Sequence, residues 1–130
     1  MQKPHPPIYL AAFSPQGLKR AATQANGWNP AVVPLDGMKP MMEALKGFAQ
    51  EAERNPSEVE VVVRGFLNVT EKPLDDDRPI FNGSLEQTNS DIAAIRELGV
   101  DELFFDLQFS PEGTSVDGIL SRMEKMRKLV

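Results

Sequence analysis

Four times in succession the chain runs from a short apolar stretch that reads as a strand into an amphipathic stretch that reads as a helix. This alternation restricts the fold more than any other feature. Strands joined through helices lie parallel, because each crossover returns the chain to the same end of the sheet, and such crossovers are right-handed. The chain is therefore expected to be α/β with a parallel sheet, in the form (βα)4.

The first unit is a strand at Ile8 to Ala12 and a helix over Ser14 to Ala25, in which Leu18, Ala21, Ala22 and Ala25 recur at helical spacing. Ser14 suits the N-cap, and Pro15 the first helical position, where a missing N–H costs nothing. The second is the strand GWNPAVV and a helix from Leu35 to Arg54, with Asp36 or Pro40 marking its start and Met38, Met41, Met42, Leu45, Phe48, Ala49 and Ala52 as its apolar stripe. The third strand, Val59 to Leu67, is nearly continuously apolar, as parallel strands are. After it, about 15 residues from Asn68 to Asn82 read as a lid or a disordered loop. Ser84 and Gln87 have capping-box spacing ahead of a helix carrying Leu85, Ile92, Ile95 and Leu98, closed by Gly99. The fourth unit is a strand from Glu102 to Phe109 and a helix from Ser115 to Leu129, with Ile119, Leu120, Met123, Met126 and Leu129 as its stripe.

Alternation within the strands separates two closures. In one strand Leu103, Phe105, Leu107 and Phe109 share a face opposite Phe104, Asp106 and Gln108; in another Val61 and Val63 oppose Val62 and Arg64. One face is oily and the other carries Arg64, Asp106 and Gln108. Helices covering the first and a barrel lumen receiving the second account for this better than an open sheet with helices on both sides. A full barrel needs about 250 residues, so the chain is expected to be half of one.

The 130 residues, 41% apolar and 25% charged, make a single domain spanning 1–130. A net charge of −5 provides no basic field for nucleic acid. No run approaches the roughly 18 apolar residues of a membrane span, and MQKPHPPIYL lacks a signal-peptide centre, so no membrane partner is expected and the expected location is cytoplasmic. Without cysteine there is no disulfide or thiolate ligand. The single histidine, His5, argues against histidine triads and multi-histidine metal sites.

Three segments carry a resemblance to a known family. They are PIYLAAFSPQGLKRAATQANGWNP, EAERNPSEVEVVVR and FNGSLEQTNSDIAAIRELGVDELFFDL, in matching order and spacing over most of residues 7 to 108. The chain resembles the C-terminal half of a luciferase-like monooxygenase, one of the flavin- and F420-dependent TIM barrels. The resemblance implies FMN or F420 at the C-terminal strand ends. It implies that the backbone of Ala11, Ala12, Phe13 and Ser14 approaches the cofactor, and that the strand entered by Gly27 and Trp28 ends beside its phosphate. Independently of any family, small side chains let a main chain come close, and a helix N-terminus favours an anion. The implied chemistry passes hydride between cofactor and an organic substrate, or activates oxygen; a cofactor-binding or partner subunit without turnover is the alternative. The chain departs from the family where relatives commonly place glycine at the position of Phe13, and hydroxyl or basic residues where Ala31, Val32, Val33 and Pro34 stand. This weakens the implied phosphate site.

Plainer roles stand beside these. Ser14 caps a helix in any reading, and Trp28 reads first as a packing residue. Arg64 and Asp106 read as an ion pair within the lumen, Asp75, Asp76 and Asp77 as a solvated loop rather than a cation site, and His5 as exposed. No metal site and no catalytic residue is assigned. Half a barrel leaves Phe104, Val62 and Leu10 without cover and two strand edges unpaired. The expected remedy is a homodimer in which the first strand of each copy pairs with the last strand of the other, or a second chain completing the barrel.

Overall fold

The computed structural model describes residue 3 and residues 5–107 and 115–129. Its elements are β1 (Tyr9–Leu10), α1 (Pro15–Gln24), β2 (Gly27–Trp28), α2 (Leu35–Glu51), β3 (Glu60–Phe66), β4 (Asn68–Val69), β5 (Asn82–Gly83), α3 (Leu85–Glu97), β6 (Glu102–Asp106) and α4 (Val116–Met126). Strands β1, β2, β3 and β6 lie side by side in that order, every pairing parallel. The (βα)4 order read from the sequence is the order observed. Gln108 and Phe109, expected at the end of the last strand, lie outside the described residues.

Local chemistry sets the helix boundaries. Ser14 accepts from the Gly17 amide and Pro15 opens α1. Ser84 and Gln87 complete the reciprocal capping box of α3, and Gly99 adopts φ +77° just past its end. Helix α2 starts at Leu35, but its N-cap is Pro34, which has no side-chain oxygen to offer; Asp36 falls in the first turn and Pro40 inside the helix. The second strand is shorter than GWNPAVV suggests. Pro30 brings no N–H, Val32 has φ +51°, and only an isolated bridge from Ala31 to Arg64 continues the ladder.

The register decides which side chains face the helices. Leu10, Trp28 and Val61 are level with one another, as are Tyr9, Gly27 and Glu60. Paired residues of parallel strands point to the same side, so Leu10, Trp28, Val61 and Val63 form the helix-facing set. They pack with Leu18, Ala21, Ala22, Met42, Leu45 and Ala49. The opposite face carries Tyr9, Glu60, Val62, Arg64, Glu102, Phe104 and Asp106. This corrects the expectation for Leu10, which packs against the helices, and for Val62, which is already buried. Phe104, 39% exposed, is the one of the three that stands uncovered. Gly27 is fixed by the sheet: a Cβ there would meet the Glu60 carbonyl oxygen at 2.2 Å and Tyr9 Cδ1 at 2.8 Å.

The segment after β3 is ordered rather than loose. Strands β4 and β5 pair in parallel at its two ends, and α3 grips its middle twice. The Gln87 amide accepts from Leu74 N at 2.9 Å and donates to Leu74 O at 2.7 Å. Arg78 makes a two-pronged ion pair with Asp91 at 2.6 and 2.8 Å, and Asp91 also accepts from the Phe81 amide at 2.7 Å. Phe81 then fills the space over Gly65 and meets Phe105 edge to face at 5.3 Å. Hydrogen bonding to Asp91 raises the Arg78 guanidinium above its ordinary pKa, against the burial that lowers it.

Helix α4 differs from expectation. Ile119, Leu120 and Met123 face outward with Val116, while Met126 and Leu129 reach the core. Arg122 is the buried residue of the helix, donating to the Leu107 carbonyl at 2.7 Å. The reason is positional. Helix α4 follows the edge strand β6, and its apolar stripe points beyond that edge, where no further strand of this sheet lies.

Two outcomes test this description. Replacing Arg78 with Met leaves the Asp91 carboxylate buried without its counter-charge, which should cost about 3–5 kcal/mol. Denaturant melts would read that loss, and limited proteolysis should move to residues 70–81; an unchanged midpoint would remove the clamp from the account. The protein's single tyrosine reports the β1–β3 register. Tyr9 donates to the Glu60 carboxylate, and this bond, with the nearby negative charge, raises its pKa above the usual 10. Ultraviolet titration of Glu60→Gln should return it towards about 10.

Candidate functional site

In parallel α/β sheets the C-terminal strand ends are where loops and helix N-termini converge on one side. Here that rim is made by the turn Ala11–Ser14 after β1, residues 31–36 after β2, the end of β3, and the clamped segment before β5. The turn is built tightly. Ala12 is buried and its carbonyl accepts from Trp28 Nε1 at 2.9 Å. A Cβ on Gly17 would lie 3.0 Å from the Ala12 Cβ, so the first turn of α1 sits directly against the strand end.

The six residues suggested by the sequence divide into two groups. Ala11, Phe13 and Ser14 are at the surface, Phe13 being 61% exposed. Ala12, Gly27 and Trp28 lie beneath and hold the turn in place. Trp28 is wholly buried with its N–H already bonded, so it packs below the rim, and Gly27 sits level with Tyr9 and Glu60 near the opposite end of the strands.

The donors at this rim are few. Of the first amides of α1, Pro15 has none, Gly17 donates to Ser14 Oγ at 3.2 Å and Leu18 to Ser14 O at 2.9 Å. The Gln16 amide is the one left without a partner among the described residues. The proline and the cap thus take up most of what the first turn of this helix could offer an anion.

Over the ends of β2 and β3 lies a cavity of about 580 Å³, within the range of small-molecule sites, and no residue of the Ala11–Ser14 turn lines it. Val32, Pro34, Leu35, Phe66, Pro79 and Ile80 give it apolar walls; Arg64, Arg78, Asn82 and the carboxyl groups of Asp36, Asp76, Asp77 and Asp91 give it polar ones. Val32 adopts left-handed φ at this rim while 70% exposed. A β-branched residue holds that conformation at a cost of order 1–3 kcal/mol. The Arg64–Asp106 pair read from the sequence is present. Nε of Arg64 reaches Asp106 Oδ2 at 3.0 Å, Nη2 reaches the same oxygen, and the guanidinium lies 5.0 Å over the Phe66 ring. Asp76 and Asp77 line the cavity, while the Asp75 carbonyl closes a turn by accepting from the Arg78 amide. Among the described residues no cluster of three or more histidine, cysteine or acidic side chains is arranged for a metal ion. His5 is exposed, its ring against the Pro6 carbonyl.

Sequence reasoning missed the cavity and the clamp that forms one of its walls. A signal existed: Thr88, Asp91 and Ile95 are the buried residues of α3, so an acid stands on the stripe where an apolar residue is expected.

Comparison with known proteins places this arrangement. The sequence pattern of the family described as luciferase-like monooxygenase matches residues 1–78. No curated protein sequence gives a significant match. Similar solved structures include the coenzyme F420-dependent tetrahydromethanopterin reductase from Methanopyrus kandleri, 15% identical, with a TM-score of 0.69 over 95% of this chain and 50% of that one. An F420-dependent secondary alcohol dehydrogenase solved with an F420–acetone adduct is 13% identical, with a TM-score of 0.69 over 98% of this chain and 49% of that one. A long-chain alkane monooxygenase is 17% identical, with a TM-score of 0.64 over 95% and 41%. The chain spans half or less of the length of these structures, and identities this low speak to the fold alone. Among the described residues no helix is long and apolar enough to cross a membrane. With 78 of 130 residues inside the family pattern and the sheet matching half of such barrels, the chain belongs to the luciferase-like monooxygenase family.

Proposed function

We propose that this chain is one half of an oxidoreductase barrel of the luciferase-like type, acting with FMN or F420 on an organic substrate. The observation that carries the reading is the rim itself. In a chain of this family, a ligand-sized cavity lies at the C-terminal ends of β2 and β3, on the same rim of the sheet as the Ala11–Ser14 turn. The structural neighbours named for F420, and the neighbour named as an alkane monooxygenase, support the cofactor class and the organic substrate. When bound, such a cofactor supplies hydride transfer or oxygen activation. The cavity offers apolar walls, and both arginines that line it are paired, so no step is derived through the cofactor and no side chain is nominated as acid or base.

The open face makes completion of the barrel part of the proposal. Phe104 on the bare side of the sheet, and the outward stripe of Ile119, Leu120 and Met123, need a covering surface. Among the described residues, strands β1 and β6 each keep one unpaired edge. A second copy related by a two-fold axis satisfies all of these at once, pairing β1 of one protomer with β6 of the other and bringing eight parallel strands around one lumen. A non-catalytic cofactor-binding or partner subunit is the second reading. It is favoured by the pairing of both arginines that line the cavity, Arg64 with Asp106 and Arg78 with Asp91.

Light scattering and absorbance of the purified protein test both parts. The expected outcome is a particle of twice the 14.4 kDa chain mass that takes up FMN or F420 and keeps its colour through gel filtration. A well-folded monomer would remove the two-fold closure. A colourless dimer after incubation with either cofactor would remove the oxidoreductase reading, and a coloured dimer without turnover would select the second.

A further inference from the structure

The cofactors of the proposed function are anionic, each carrying phosphate, so the rim can be tested for a place to put that group. Four kinds of site are open to it, and in each most of the donors are already used or faced by a carboxylate. The α1 N-terminus retains one amide, that of Gln16, after Pro15 and the Ser14 cap take the others. At the α2 N-terminus, Gly37 and Met38 both donate to the Pro34 carbonyl at 3.0 and 3.1 Å, and the Asp36 carboxylate stands in the same turn as the remaining Leu35 and Asp36 amides. A carboxylate there already answers the positive end of the helix dipole. The two guanidinium groups lining the cavity are engaged, Arg64 by Asp106 and Arg78 by Asp91. Lys19, on α1, lies 3.7 Å from Glu51.

The charge left over is negative. Two guanidinium groups and four carboxylates line the cavity. Asp36, Asp76 and Asp77 have no ion-pair partner among the described residues. Asp76 lies close enough to add its field to that of Asp91 on Arg78. A phosphate brought here meets like charge and almost no donors, and the apolar walls offer it nothing in exchange.

We propose that this half of the barrel has no subsite for the phosphate of its cofactor and that its cavity excludes that group on charge. The inference rests on the proposed function only in naming which phosphate is concerned. In the completed barrel the anionic end then gains no counter-charge from this chain and stays towards solvent at the mouth, and the cavity is left for an uncharged or cationic organic molecule.

FMN and riboflavin share one ring system and differ by the phosphate, so their ratio of dissociation constants isolates the term. Titrating the full chain in its native assembly, by flavin fluorescence, should show FMN binding no tighter than riboflavin. FMN binding should strengthen as salt is raised, because screening weakens a repulsion. The variant carrying Asp36→Asn, Asp76→Asn and Asp77→Asn should bind FMN several-fold more tightly and riboflavin unchanged. FMN binding about tenfold or more tighter than riboflavin to the parent chain, a difference of about 1.4 kcal/mol, would overturn the proposal. A second measurement needs no flavin. Backbone amide signals of Gln16, Leu35 and Asp36 should stay in place as inorganic phosphate is added; a saturable shift would overturn the proposal just as well. If neither flavin binds, the cofactor reading fails and the phosphate titration alone decides this one.

Discussion

A parallel sheet covered on one face is the constraint from which the rest of this structure follows. Parallel strands require crossovers, and in this chain each described crossover helix that joins the core lies on the same side as Trp28, Val61 and Val63. Core formation is therefore one-sided. The side chains that alternate with the core set, from Tyr9 and Glu60 to Phe104 and Asp106, have no helix over them among the described residues. They divide the exposure unevenly. Polar groups occupy the lower end, the Arg64–Asp106 pair satisfies itself near the upper end, and Phe104 is left as apolar surface between them.

The same one-sidedness explains why α4 looks misoriented. A helix following a central strand packs across two strands; a helix following an edge strand has only one beneath it. Met126, Leu129 and the Arg122 bond to the Leu107 carbonyl hold α4 to what exists, and Val116, Ile119, Leu120 and Met123 face the place of a next strand. Phe104 and this stripe lie on and beside β6, the strand whose edge is free. An uncovered face and an uncovered edge in one place are the properties of a surface that continues into another sheet.

Most of the fold could be read from the sequence because the signals were local. Ser14, Ser84, Gln87 and Gly99 act within one helical turn, and the apolar runs at β3 and in α1 follow simple periods. What could not be read depended on register or on partners far apart in the chain. Leu10 was set on the wrong face because its side is decided by alignment with Trp28 and Val61, which no local pattern gives. The segment between β3 and α3 reads as a lid or a disordered loop because its three anchors, Leu74, Arg78 and Phe81, are held by Gln87 and Asp91 on the next helix. The candidate site fared similarly. The turn at Ala11–Ser14, the Arg64–Asp106 pair and the packing role of Trp28 are legible in the sequence, but Gly27, which the resemblance sets near a cofactor, lies beyond that turn, level with Tyr9 and Glu60.

The clamp and the cavity are one device seen from two sides. Arg78 and Asp91 fix the segment that walls the cavity, and in doing so they cancel each other's charge, as Arg64 and Asp106 do at the end of β3. An arginine that holds a backbone in place through a two-pronged carboxylate pair is poorly available to an incoming anion, since binding one would leave a partly buried carboxylate unmatched. Rigidity of this rim and affinity for a phosphate therefore compete for the same guanidinium groups. The acids on the flanking turns, Asp36, Asp76 and Asp77, then set the sign of the field that remains. Any polypeptide that closes the lumen meets a mouth whose two arginines are already paired, and the phosphate of an anionic cofactor entering it gains no counter-charge from these turns.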